Sequence, residues 1–120
     1  MDSTQKKTLI KIGHPKHLDA LVNDENSTVR KAVAINGDDS HRDKLISDPS
    51  KYVREAVACH GNESHRDMLI NDPESFVRNT VAYLGNKEQA GKLLNDNSES
   101  VRTYATFRMR DIHEKESNSS

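Results

Sequence analysis

The chain has 120 residues, of which 32% are hydrophobic and 31% charged, and its 18 Lys and Arg residues nearly balance 19 Asp and Glu residues. A net charge of −1 provides no overall basic excess for nucleic acid or an anionic membrane, and the single cysteine, Cys59, excludes an intrachain disulfide and favours a reducing compartment. The low hydrophobic fraction fits either a disordered chain or an elongated one in which each segment is stabilised by its neighbours.

A short helix is the first predicted element, at residues 4–12. Its Leu9 and Ile10 take the positions that Val33 and Ala34 hold in the next predicted helix of the same kind. The residues before it lead into no long apolar stretch. The sequence therefore predicts neither a signal peptide nor a membrane span, and we expect the protein in the cytoplasm.

A 24-residue spacing recurs along the chain and predicts a repeat architecture. So many coincidences at one period favour the elongated, ordered chain over the disordered one. The repeated residues are Gly13, Gly37, Gly61 and Gly85; Leu21, Leu45, Leu69 and Leu93; Asp24, Asp48, Asp72 and Asp96; and the dipeptides Val29-Arg30, Val53-Arg54, Val77-Arg78 and Val101-Arg102.

Each repeat is predicted to contain two short helices. In the second repeat, Asp48 is predicted as the N-cap and Pro49 as the first residue of the longer helix, which extends to residue 60. Gly61 follows as a residue able to adopt the left-handed conformation. A second helix of barely two turns is predicted at residues 65–71, and its short length is compatible with 3₁₀ geometry.

Helices this short do not persist alone in water, so the repeats are expected to stack and to bury their apolar stripes against one another. The last long helix is predicted at residues 98–113, where Tyr104, Phe107 and Met109 depart from the pattern, as expected of a terminal unit. The sequence therefore predicts an all-α solenoid of about four two-helix units in one domain, residues 1–113, followed by a disordered polar tail, residues 114–120.

The run Asp-Pro-x-x-x-Val-Arg-x-x-Val-Ala at residues 48–58 resembles the HEAT-like repeats, and the 24-residue period is most similar to the leucine-rich repeat variant class. The resemblance covers residues 5–110 and implies a right-handed solenoid of alternating α and 3₁₀ helices, but it implies no particular function. A founding member of that class carries an iron–sulfur cluster on a separate cysteine-rich segment. One cysteine cannot supply the four thiolates of such a cluster, so no cofactor is expected here.

The repeated arginines are interpreted as structural rather than as an anion-binding row. Each arginine lies six residues after a repeated aspartate, and the resemblance to HEAT-like repeats implies that such pairs bridge neighbouring units. The predicted ladder contains Asp24, Asp48, Asp72, Asp96, Arg30, Arg54, Arg78 and Arg102.

Metal binding and catalysis are not expected. The recurrent His17, His41 and His65 would lie in layers roughly 8–10 Å apart, whereas zinc ligands lie at about 2 Å from the metal; these imidazoles are expected to cap or pack at the short helices. The cluster of Cys59, His60, Glu63 and His65 matches no standard zinc spacing. No phosphate loop, nucleophile elbow or carboxylate pair is recognisable, so no catalytic residue is predicted.

The predicted partner-binding surface is on the longer helices, with a small basic spot on the shorter ones. Helical periodicity places the positions of Lys51 and Glu55 opposite the buried stripe, with aromatic residues beside them. The alternative is that these rings fill gaps between repeats, and that the basic spot is ordinary solvated surface. The candidate residues are Lys31, Lys51, Tyr52, Glu55, Phe76, Asn79 and Tyr83 on the longer helices, and Arg42 and Arg66 in the basic spot.

The sequence thus favours a non-catalytic, monomeric protein-interaction module, either a small adaptor or an inhibitor. A nucleic-acid-binding module is the alternative, because some HEAT-like solenoids are known to cradle duplex DNA. An enzyme or cofactor carrier, and a self-assembling structural protein, are the remaining hypotheses.

Overall fold

The computed structural model describes residues 1–119, which form nine α-helices and no β-strand, so the predicted all-α fold is confirmed. Ten-residue and seven-residue helices alternate along these residues until the final helix, which has 20 residues. The helices are α1 Ser3–Ile12, α2 Pro15–Leu21, α3 Ser27–Asn36, α4 Asp39–Leu45, α5 Lys51–His60, α6 Glu63–Leu69, α7 Ser75–Leu84, α8 Lys87–Leu93 and α9 Glu99–Asn118.

The long, odd-numbered helices pack against one another in chain order, α1 on α3, α3 on α5, α5 on α7 and α7 on α9. Each short helix contacts the long helix before it and the long helix after it. The molecule is elongated, with principal dimensions of 50 × 33 × 20 Å.

A valine at the same position of four long helices forms the centre of the core. Val29, Val53, Val77 and Val101 are all completely buried. Burying one such side chain contributes roughly 1.5–3 kcal/mol. Because a ten-residue helix is marginal on its own, this burial between successive helices is what holds each of them in place.

The long helices begin two residues later than an N-cap at Asp48 predicts. Ser50 is the N-cap of α5, and its hydroxyl accepts a hydrogen bond from the Tyr52 N–H at 3.2 Å. The predictions for Asp48 and Pro49 were therefore wrong. The Asp48 carboxylate instead accepts from the Ser50 N–H at 2.9 Å and from the side chain of Arg30, so it is held by a tertiary partner.

The short helices, in contrast, begin earlier than predicted. Asn62 is the N-cap of α6, which runs over Glu63–Leu69 rather than residues 65–71 and is α-helical throughout. Its cap is reciprocal. The Asn62 side chain accepts from the His65 N–H, and the His65 ring accepts from the Asn62 N–H.

The glycines that end α3, α5 and α7 do not have the predicted left-handed conformation, which among residues 1–119 is present only at Gly13, at the end of α1, where φ is 75°. Gly61 has φ −79°, and Gly37 and Gly85 are similar at −80° and −66°. A close approach is the physical reason for glycine here. A Cβ at Gly61 would lie 2.5 Å from the Val57 carbonyl oxygen and 2.6 Å from His65 Nδ1.

The C-terminal segment differs from its prediction. Residues 114–118 continue α9 to Asn118 instead of forming a disordered tail, while residue 120 lies outside the described residues. Ion pairs support the extension, because Lys115 lies 3.1 Å from Asp111 one helical turn away, and Lys87 of α8 lies 3.3 Å from Glu116.

Candidate functional site

The repeated arginines bind the loops on both sides of their own helices. Arg54 donates twice to the Asp72 carboxylate, at 2.8 and 3.2 Å, and once to the Asp48 carbonyl oxygen at 2.7 Å. The Asp72 side chain is only 3% exposed, and its hydrogen bond raises the pKa of Arg54. Arg30 and Arg78 make the same three bonds to equivalent residues. These guanidinium groups are therefore committed to internal partners.

The two ends of this arginine ladder differ from its middle. Lys6 takes the place of an arginine in the first rung and donates to Asp24 at 2.6 Å, which lowers the pKa of that carboxyl group. Arg102, in the last rung, donates to the Asp96 carbonyl oxygen and is exposed. Sequence reasoning missed Lys6 because a different residue type makes the equivalent bond.

A second row of buried polar side chains, which we call the capping row, consists of His41, His65 and Gln89. His65 Nδ1 accepts from the Asn62 N–H at 3.0 Å, so Nε2 carries the proton and donates to Asp43 at 2.7 Å. In Gln89, the amide oxygen accepts from the Asn86 N–H at 2.9 Å and the amide nitrogen donates to Asp67 at 2.7 Å. Glutamine thus reproduces the bonds of histidine one repeat later.

The capping row confirms that His41 and His65, which are 1% and 2% exposed, cap and pack at the short helices. The capping prediction was wrong for His17: its buried Nδ1 has no hydrogen-bond partner within residues 1–119, and His14 caps α2 instead. The aspartate partners were missed, although a signal was present. Asp19, Asp43 and Asp67 recur at the repeat spacing, in step with the row.

Gln89 provides the basis for a prediction at His65. We expect His65→Gln to change the free energy of unfolding by less than about 1 kcal/mol, because glutamine can make both bonds. We expect His65→Leu to cost about 1–3 kcal/mol, because it leaves the Asn62 N–H without its acceptor. Urea unfolding followed by circular dichroism measures both values. Equal losses in the two variants would show that the bonds do not matter.

The predicted basic spot is directed inward. Arg42 donates to the carbonyl oxygens of Ala34 and Gly37 at 2.9 and 2.8 Å, and so caps the C-terminus of α3. Arg66 does the same for α5 through the carbonyl oxygens of Ala58 and Gly61. These interactions account for both arginines, which form neither a free basic spot nor ordinary solvated surface.

Arg108 caps the C-terminus of α7, as Arg42 and Arg66 cap α3 and α5, but it lies on a long helix, α9. Ala90 occupies the position equivalent to Arg42 and Arg66. Arg108, on α9, instead donates to the Gly85 carbonyl oxygen at 2.6 Å. The loss of the arginine at position 90 was the available signal, but it did not indicate which residue replaces it.

Five exposed aromatic side chains lie along α5, α7 and α9, and we call them the aromatic strip. Each is between 40% and 59% exposed. The rings meet across helices in two edge-to-face pairs: Tyr52 with Phe76 at 5.5 Å between centroids, and Tyr83 with Tyr104 at 5.9 Å. The interpretation of the rings as filling material between repeats accounts for these contacts but not for the exposed area. The strip consists of Tyr52, Phe76, Tyr83, Tyr104 and Phe107.

Two shallow depressions open along the strip. The larger one, of about 500 Å³, is lined by Phe76, Asn79, Thr80, Tyr83 and Tyr104, and we call it the depression between α7 and α9. The smaller one, of about 400 Å³, lies at the C-terminal end of α7 and is lined by Tyr83, Leu84, Phe107, Arg108 and Asp111. Tyr83 belongs to both, so it lies at the centre of the strip.

The polar candidates on α5 and α7 contact the next helix along. Glu55 accepts from the Thr80 hydroxyl at 2.7 Å, and Asn79 accepts from the Ser100 hydroxyl at 3.0 Å. Lys51 lies 4.0 Å from Glu74 and 5.5 Å from the centre of the Tyr52 ring. Lys51 and Glu55 therefore both join α5 to α7, Lys51 at its N-cap Glu74 and Glu55 through Thr80.

Cys59 and the other potential metal ligands named from the sequence do not assemble into a metal site in the described part of the chain. Partial burial and the Glu55 carboxylate raise the pKa of the exposed Cys59 thiol. Within residues 1–119, the His, Cys, Asp and Glu side chains form no group of three or more that could hold a metal ion. None of the helices in this part of the chain combines the length and the apolar character needed to cross a lipid bilayer.

Comparison with known proteins gives no relative to this chain: no protein-family model, no curated protein and no solved structure matches it.

Proposed function

We propose that this chain is a short right-handed α-solenoid of four 24-residue units, of the leucine-rich repeat variant kind, and that it acts as a non-catalytic protein-interaction module. Two regularities support the repeat arrangement. The ladder joins residues 18 apart in four successive units, the first through Lys6, and the capping row joins residues 22 apart in three successive units. Identical bonds at fixed separations are what stacked units of equal length produce.

The aromatic strip is the observation that carries the function. Large aromatic side chains placed side by side on the surface of a soluble chain mark interaction sites, since they supply most of the binding energy at protein interfaces. Here the rings come from three different helices and line two open depressions, which we propose receive side chains of the partner. We place the module in the cytoplasm as a monomeric adaptor or inhibitor.

The strip is tested by truncating its central rings. We expect the double variant Phe76→Ala/Tyr83→Ala to lose partner binding by about tenfold or more, because interface aromatics commonly contribute about 2 kcal/mol or more each. The measurement is affinity capture from a lysate of the source cells, with each captured protein quantified by mass spectrometry. Circular dichroism confirms that the variant is folded.

Met68→Ala is the matched control. Met68 is 66% exposed but lies on α6, outside the strip. We expect this variant to capture the same proteins as the unmodified chain. Captured proteins that are retained equally by the double variant would contradict the proposal.

A nucleic-acid-binding module is the second candidate. It is favoured by Lys7, Lys11 and Lys31, which make no ion pair within residues 1–119. Binding of this kind weakens steeply as the salt concentration rises. A mobility-shift assay with duplex and single-stranded oligonucleotides at low salt tests it, and the absence of a shift removes it.

A further inference from the structure

The first two long helices have an uncompensated basic surface. Neither α1 nor α3 contains an acidic residue. Of their five basic residues, Lys6 and Arg30 are committed to Asp24 and Asp48 in the ladder. The other three basic side chains, Lys7, Lys11 and Lys31, have no carboxylate partner within residues 1–119.

These lysines lie on the same side of the row of long helices as the aromatic strip. Counted in whole repeats, Lys7 and Lys31 occupy the position of Asn79, and Lys11 occupies the position of Tyr83. Asn79 and Tyr83 both line the depression between α7 and α9. Because the long helices pack in chain order, one continuous face changes from basic at α1 and α3 to aromatic at α7 and α9.

The face also carries a carboxylate between its basic and aromatic halves. Glu55, on α5, occupies the repeat position of Lys7 and Lys31, makes no ion pair within residues 1–119, and accepts from the Thr80 hydroxyl at the edge of the depression between α7 and α9. A carboxylate at this location repels a phosphate backbone that follows the face from end to end. A peptide with acidic residues at only one end avoids that repulsion.

We infer that this face binds an acidic peptide segment of a partner protein. An apolar side chain of the segment occupies the depression between α7 and α9, and its carboxylates lie over Lys31, Lys7 and Lys11. Three helix-to-helix spacings separate α7 from α1, which is roughly 24–30 Å. An extended chain covers that distance with about eight residues. The segment therefore binds in one orientation, with its apolar anchor at one end and its acidic residues at the other.

This inference rests on the proposed protein-interaction function, and one experiment separates the two. The protein is used to select from a display library of random peptides long enough to cover the face, and the enriched peptides are synthesised for affinity measurements. We expect acidic peptides with one aromatic or large aliphatic residue at a fixed distance from the acidic cluster. Their binding should weaken as salt is added, because salt screens the lysine–carboxylate attraction.

Charge-reversal variants supply the matched comparison. The triple variant Lys7→Glu/Lys11→Glu/Lys31→Glu should weaken binding by about tenfold or more. The triple variant Lys16→Glu/Lys44→Glu/Lys92→Glu changes the net charge equally, but on the short helices α2, α4 and α8, and should bind normally.

Each outcome distinguishes the acidic segment from the interaction module. Peptides that need Phe76 and Tyr83 but tolerate the first triple variant would overturn the acidic segment and leave the interaction module standing. An absence of enriched peptides, or peptides indifferent to both sets of variants, would overturn both. Oligonucleotides that bind more tightly than any selected peptide would replace the acidic segment with nucleic acid.

Discussion

Arg54→Met is expected to lower the free energy of unfolding by about 3–5 kcal/mol, the range typical for removing one partner of a buried ion pair. Methionine keeps much of the aliphatic packing but donates no hydrogen bond. The Asp72 carboxylate, 3% exposed, would lose a bidentate partner, and the Asp48 carbonyl oxygen would lose a bond of 2.7 Å. Chemical denaturation in urea at neutral pH measures the loss.

Arg102→Met is the matched control for this prediction. Arg102 occupies the same repeat position but is exposed, and its side chain donates to the Asp96 carbonyl oxygen. We expect a loss below about 1 kcal/mol there. The double variant Arg54→Met/Asp72→Leu should regain part of the stability, because it no longer buries an unpaired charge. Similar losses at positions 54 and 102 would refute the view that ladder pairing stabilises the fold.

Gly61→Ala is expected to lower the free energy of unfolding by about 3 kcal/mol, at the upper end of the loss that overpacking typically causes. The added methyl would lie 2.5 Å from the Val57 carbonyl oxygen and 2.6 Å from His65 Nδ1. Relief of these contacts moves the His65 ring, whose Nδ1 accepts the Asn62 N–H. The start of α6 and the end of α5 are therefore disturbed together. Thermal and urea unfolding both detect the change.

The same substitution at Gly91 is expected to have the opposite sign. Gly91 lies inside α8, and a Cβ there meets no atom within 4 Å. Alanine in a helix interior is favoured over glycine by about 1 kcal/mol. Gly91→Ala should therefore raise the free energy of unfolding by up to that amount. A Gly61→Ala variant as stable as the original protein would show that the close approach at Gly61 is relaxed in solution.

The all-α fold was predictable from the sequence because its determinants are local and repeated. A valine at a fixed position in four of the five long helices is completely buried, and the 24-residue spacing alone identifies those positions. Helix ends were predicted less well. Asp48 has the residue type and location of an N-cap, but its carboxylate is held by Arg30, 18 residues earlier in the chain. The sequence pairs each aspartate with the arginine six residues after it, whereas the basic side chain 18 residues before it binds the carboxylate.

The bonds that depart from the repeat were harder to predict for a related reason. In the first unit Lys6 makes the ladder bond that an arginine makes elsewhere, and in the last unit Gln89 replaces a capping histidine. Arg108 caps α7 as Arg42 and Arg66 cap α3 and α5, but it does so from α9 and not from a short helix. Periodicity in residue type cannot reveal equivalence of hydrogen bonds. Part of the aromatic strip was predicted from Tyr52, Phe76 and Tyr83, whereas Tyr104 and Phe107 were interpreted only as features of a terminal unit.

The arginine ladder determines which insertions and deletions the chain can tolerate. Arg54 depends on Asp48, six residues before it, and on Asp72, 18 residues after it, and on no other rung. A duplication or deletion of one whole 24-residue segment therefore leaves every remaining arginine with both of its partners. Growth by whole segments is the change that this bonding tolerates best, and each added segment would widen the exposed face by one helix.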